Sequence, residues 1–213
     1  ANIVYADSLQ ELVKEATKKM EDKRAALQEA NPTVLIEAKV EAGILLDSLE
    51  DLCKEIHPIL VMMGITGSGI GMDKLIGSNA IAAMHHLHTP IMIIPKGSTF
   101  SPLQKICFAC DLKNVVQSIP IGSIKLFATL FQAKVHILNI DFHHQNMTGK
   151  TLEEYNTLES MLEGIPHEFH FVEDEHTPLA IDSFCTKNNM DLLIMVPKKY
   201  SFVKALFHSS QSK

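Results

Sequence analysis

The richest chemistry in the chain runs from Gly64 to Asn79, Gly-Ile-Thr-Gly-Ser-Gly-Ile-Gly-Met-Asp-Lys-Leu-Ile-Gly-Ser-Asn. Glycines let a backbone reach positive φ and approach a phosphate with no Cβ in the way. Thr66, Ser68 and Ser78 carry hydroxyl donors, and Lys74 carries a charge that balances phosphate oxygens. Gly77-Ser78-Asn79 opens a predicted helix whose first N–H groups and dipole favour an anion. The segment follows the apolar run Ile59–Met63, at the carboxyl end of a predicted buried parallel strand, where open α/β sheets bind ligands. It lacks the Gly-Lys-Ser/Thr ending of a Walker loop. A dinucleotide fingerprint would follow the first strand of its unit and precede an acid by about 20 residues. Here the strand is the fourth of its unit, and apolar or His-rich sequence follows.

The other reactive side chains read as structural. Cys107-Phe108-Ala109-Cys110 has the spacing of a zinc or redox pair, but lies on a predicted strand, where residues three apart face opposite sides. His85, His86 and His88 end the helix after the glycine segment, and His143-His144 lie in a polar loop. His85 and His88 share a helical face, yet no Cys, Asp or Glu stands beside them at ligand spacing, so no metal ligand is assigned. No nucleophile or acid–base pair stands beside the glycine segment, and no catalytic residue is assigned.

Alternating strands and helices must position these groups. Ala1–Tyr5 reads as a strand end, and Ser8 with Glu11 forms a capping box for a helix running to Asn31-Pro32. Val34, Ile36, Ala38 and Val40 alternate as a strand, and Leu46, Leu49, Leu52, Cys53 and Ile56 mark a helix. The strand Ile59–Met63, a helix from Ser78 to about Leu87 and the strand Pro90–Ile94 follow. Beyond a linker at Ser98–Pro102 the pattern restarts. Strands are predicted at Ile106–Cys110, Val135–Ile140, Phe169–Val172 and Leu192–Val196, and helices at Ile119–Phe131, Leu152–Leu162 and Leu179–Lys187. Such alternation predicts parallel strands in a doubly wound α/β layer.

The two halves repeat in order. Ile59–Gly64 matches Leu192–Pro197, and Ala1–Tyr5 falls on Ala133–Ile137, so we expect tandem units at 1–97 and 98–213. The alignment makes both incomplete. The first lacks the strand and helix that open the second, and the second stops where the first enters its last helix. An intact mass equal to that of these 213 residues alone would refute the expectation of omitted segments.

The pattern G-x2-G-x9-G-[ST], carried by Gly64, Gly67, Gly77 and Ser78, resembles the nucleotide-binding signature of the universal stress protein family. The element order, the duplication and the ending Val196-Pro197-Lys198-Lys199-Tyr200-Ser201-Phe202 also resemble its tandem-domain members. The resemblance implies an adenine nucleotide alpha hydrolase-like fold and ATP or AMP, with or without Mg²⁺, on the first-unit loop. It implies a binding set of Met63, Gly64, Thr66, Gly67, Ser68, Gly77, Ser78 and Asn79, with Met63 helping to enclose the adenine. Lys74 and Asp111 are weaker candidates, Asp111 because it ends the second unit's first strand, where the family carries a nucleoside-contacting acid. In the second unit Pro197, Tyr200 and His208 replace the three glycines, so that site is expected to hold no ATP.

Composition bounds the partners. A net charge of −6 and no long basic run argue against nucleic acid. The apolar runs are too short for a membrane span, and four sparse cysteines within apolar sequence fit reduced thiols in the cytoplasm. The expected protein is a stress-response or regulatory nucleotide binder, an intramolecular pseudo-dimer or a homodimer, with a protein partner the sequence does not identify. Fast hydrolysis is not expected. The alternatives are a scaffold or a carrier of a small ligand, lipid or metal, served by Phe202, Leu206 and Phe207, and a nucleotide-dependent ligase on the same fold.

Overall fold

The computed structural model describes residues 2–64, 78–95, 97–140 and 149–196. The chain divides into two units, one of Ala1–Val61 with Ile81–Ile91 and one of Met62–Ala80 with Met92–Lys213.

The larger unit is built on the parallel strands β3 (Lys105–Ala109), β4 (Lys134–Ile140), β5 (His167–Val172) and β6 (Leu192–Met195), in the spatial order β5-β4-β3-β6. The chain steps outward from β3 to β5, then returns to the far side of β3 for β6. One face carries Ile106, Phe108, Val135 and Ile137 against Ile124 and Ala128 of α5 (Ile121–Phe131) and Leu158 of α6 (Gly149–Met161). The other carries Cys107 and Leu138 against Ile181 of α7 (Thr177–Lys187). Helices on both faces explain why β3 and β6 read as near-continuous apolar runs, and the predicted doubly wound α/β layer is realised here. The ends of β3 and β6 are tied together by Asp191, whose carboxylate accepts the N–H groups of Gln104 and Lys105 at 2.8 and 2.9 Å. The helix predicted at Ile119–Phe131 forms as α5, and a separate short helix precedes it. A short α4 (Val115–Ser118) ends at Ile119, and Pro120, which has no N–H, caps the start of α5.

The smaller unit departs from expectation. Residues Asn2–Tyr5, predicted as a strand end, belong to α1 (Asn2–Ala30), so Ser8 lies inside the helix and is no cap. A strand exists only by pairing, whereas a helix satisfies its backbone alone, and no ladder partner for Asn2–Tyr5 occurs among the described residues. Val34–Val40 forms no strand either. The Gln28 side chain takes the place of a neighbouring strand, donating to the Val34 carbonyl at 2.7 Å and accepting the Ile36 N–H at 3.3 Å. The helix α2 (Leu45–Ile56) forms as expected and ends at His57, left-handed with φ 47°, whose N–H bonds the Cys53 carbonyl.

Strand β1 (Val61–Gly64) pairs with β2 (Ile91–Ile94) in a separate two-stranded sheet, with α3 (Ser78–His86) between them in sequence. The expected burial of β1 on both faces does not hold. Its residues alternate half-buried and exposed, with Met62 63% exposed, and β2 is its single pairing partner among the described residues.

Candidate functional site

Of the residues assigned to the nucleotide, Met63 is half-buried in β1 and Gly64 is that strand's last residue. Ser78 is the first residue of α3, and Asn79 follows it, exposed. The glycine segment thus connects the carboxyl side of β1 to the N-terminal side of α3. Its interior, with Thr66, Gly67, Ser68, Lys74 and Gly77, lies outside the described residues, as do Pro197, Tyr200 and His208.

In the larger unit a cavity of about 240 Å³ opens at the carboxyl ends of β3, β4 and β6. This is where the strand order reverses, between β3 and β6. Its floor is apolar, with Ala109, Leu138 and Met195 from the sheet and Ile181 from α7, while Asp111, Ser118 and Thr177 supply polar groups at its mouth. Asp111 is exposed just beyond β3, and Val196 just beyond β6. Asp111 and Val196 both line the opening. The mouth is shaped by two remote contacts. Glu154 of α6 accepts the N–H groups of Asn114 and Val115 at 3.1 and 2.9 Å and so caps α4. Asn139, buried in β4, donates to the Cys110 carbonyl at 3.0 Å and fixes the chain before Asp111. A volume above the roughly 150 Å³ that holds benzene, yet below the roughly 300 Å³ of common ligand pockets, suits one flat ring system.

The cysteines of the C-x2-C stretch diverge as the strand geometry predicts. Cys107 packs beneath α7, and Cys110 packs against the opposite core. Cys107 instead hydrogen-bonds Cys185 of α7. That bond, with burial, pushes the Cys107 thiol up. All four cysteines are free thiols. The sequence reading missed a grouping of His136, Glu168 and His170, whose ligand atoms lie within 4.8 Å of one another. Its only sequence signal is a histidine inside the apolar run of β4. Among the described residues, no helix is long and apolar enough to cross a membrane.

No protein-family model matches the sequence, and no curated protein matches it. Solved structures do match in fold. A universal stress protein from Archaeoglobus fulgidus DSM 4304 superposes with a TM-score of 0.68 at 16% identity, over 97% of this chain and 76% of that one. A functionally unknown protein from Pseudomonas aeruginosa PAO1 superposes with a TM-score of 0.64 at 12% identity, over 92% of this chain and 75% of that one. At such identities the likeness is one of fold: the chain has the fold of the universal stress proteins.

Proposed function

We propose that the protein is a stress-response or regulatory protein that binds an adenine nucleotide through the glycine segment between Gly64 and Asn79. The observation that carries this reading is the placement of the segment's two ends. β1 runs up to Gly64 and α3 is in place from Ser78, so the intervening glycines and hydroxyls join the carboxyl side of a strand to the N-terminal side of a helix, whose free N–H groups would attract phosphate. In this reading the backbone around Gly64, Gly67 and Gly77 approaches the phosphates. Thr66, Ser68 and Ser78 donate to phosphate and ribose oxygens, Lys74 offsets charge, and Met63 packs on the adenine. A Mg²⁺ ion bound with the nucleotide would neutralise part of the phosphate charge. No acid–base pair is assigned, so turnover is slow or nil, and the nucleotide acts as a signal rather than a substrate.

Freshly purified protein should release close to one equivalent of adenine nucleotide on denaturation, identified by chromatography and mass. Protein that carries none, and takes up none when incubated with ATP, would remove the reading.

The cavity beside Asp111 favours a second reading for the larger unit, as a carrier of a small apolar or aromatic molecule. Its floor is apolar, and its volume fits one ring system better than a whole nucleotide. Native mass spectrometry separates the two, because a retained nucleotide and a retained apolar ligand add different masses.

A further inference from the structure

Two histidines and a glutamate meet on the face of the larger sheet that α7 partly covers. His136 lies in the middle of β4, 9% exposed, between residues that serve the core. In register it stands opposite Glu168 of the edge strand β5, while Leu138, on the same face of β4, stands opposite His170. The side chains of His136 and His170 therefore reach each other along the diagonal of two adjacent parallel strands. His136 Nδ1 and His170 Nε2 are 2.9 Å apart, and the rings stack with centroids 5.1 Å apart. Phe184 of α7 packs on His170 at 4.9 Å between centroids and limits the ring's rotation. A carboxylate oxygen of Glu168 completes a set of three ligand atoms within 4.8 Å of one another.

We propose that His136, Glu168 and His170 bind a divalent transition-metal ion of the zinc type, with water in the remaining position. The two nitrogens already have nearly the required separation. Nitrogens about 2.1 Å from a metal lie about 3.0 Å apart at a right angle and about 3.4 Å apart at the tetrahedral angle. An opening of about half an ångström at most, with both rings turned so that their lone pairs point at the ion rather than at each other, converts the hydrogen-bonded pair into a chelating one. Two imidazoles and one carboxylate form a donor set suited to borderline cations rather than to Ca²⁺ or Mg²⁺. The competitor is Lys134, which holds the Glu168 carboxylate at 2.6 Å and must yield at least one oxygen to the ion. The site is independent of the glycine segment, since it draws on β4 and β5 alone. An ion held there would pin the edge strand β5 to β4.

The test is calorimetric titration of the chelator-treated full chain with Zn²⁺, alongside thermal unfolding. One Zn²⁺ should bind per chain and raise Tm. Both effects should weaken at least tenfold in affinity, or vanish, in His170→Ala and in Glu168→Gln, while Lys134→Gln should bind several-fold more tightly. His136→Ala risks misfolding because its side chain is buried, so the edge-strand variants carry the test, with circular dichroism to establish that they fold. The control His143→Ala/His144→Ala should leave affinity unchanged. Absence of Zn²⁺ binding, unchanged binding in His170→Ala, or a loss confined to the His143/His144 variant would overturn the assignment.

Discussion

Two isoleucines of the larger unit are equally buried but differently placed, and truncating each should cost different amounts. Ile124 of α5 is 0% exposed within a closed cluster with Val135, Ile137 and Leu158. Ile181 of α7 is 1% exposed, yet it also lines the cavity of about 240 Å³ that opens beside Asp111. Isoleucine to alanine removes three carbons, a transfer loss of about 2.4 kcal/mol at about 0.8 kcal/mol each. A closed void adds roughly 1–2 kcal/mol, because its walls lose dispersion contacts without regaining water. Ile124→Ala should therefore cost about 4 kcal/mol. The space left in Ile181→Ala joins an opening that water already reaches, so its cost should fall near the transfer term, about 2–2.5 kcal/mol. Guanidinium unfolding followed by far-UV circular dichroism measures both, since the chain has no tryptophan to report by fluorescence. Equal costs, or a larger cost at Ile181, would refute the claim that the cavity beside α7 is a real opening.

Glu154→Ala leaves the N–H groups of Asn114 and Val115 without their carboxylate and should cost about 1–2 kcal/mol in the same unfolding assay, while Glu154→Gln, which keeps an acceptor, should recover most of it. Cys107, fully buried and held protonated by burial and its bond to Cys185, should resist iodoacetamide at neutral pH until the protein is denatured. Mass mapping that finds native Cys107 alkylated ahead of Cys185 would contradict that account. The zinc titrations described above stand as a further prediction, independent of nucleotide.

What could be read in the sequence follows from how each segment is satisfied. Strands β3 and β6 were legible because layers on both faces force continuous apolar runs, as in Ile106-Cys107-Phe108 and Leu192-Leu193-Ile194. The helices α5, α6 and α7 were legible from their periodicity, although the short α4 was not anticipated. Val34–Val40 alternates as a strand should, but alternation says which face could be buried and not whether a partner strand exists. Here the Gln28 amide, six to eight residues back, supplies the hydrogen bonds instead. The same limit misled the reading of Ala1–Tyr5. At the candidate site the sequence placed a strand before the glycine segment and a helix after it, and β1 and α3 stand there. The meeting of His136 with Glu168 and His170, and that of Cys107 with Cys185, depend on sheet register and on how α7 lies across the strands. Neither is written in local spacing.

The central claim is that the glycine segment between β1 and α3 holds an adenine nucleotide, and calorimetric titration of the full chain with ATP in the presence of Mg²⁺ tests it most directly. The account predicts one site per chain in the wild type, and loss of binding in Gly67→Val and Gly77→Val, where a branched side chain would stand between backbone and phosphate. No heat of binding in the wild type, or undiminished affinity in those two variants, would contradict it.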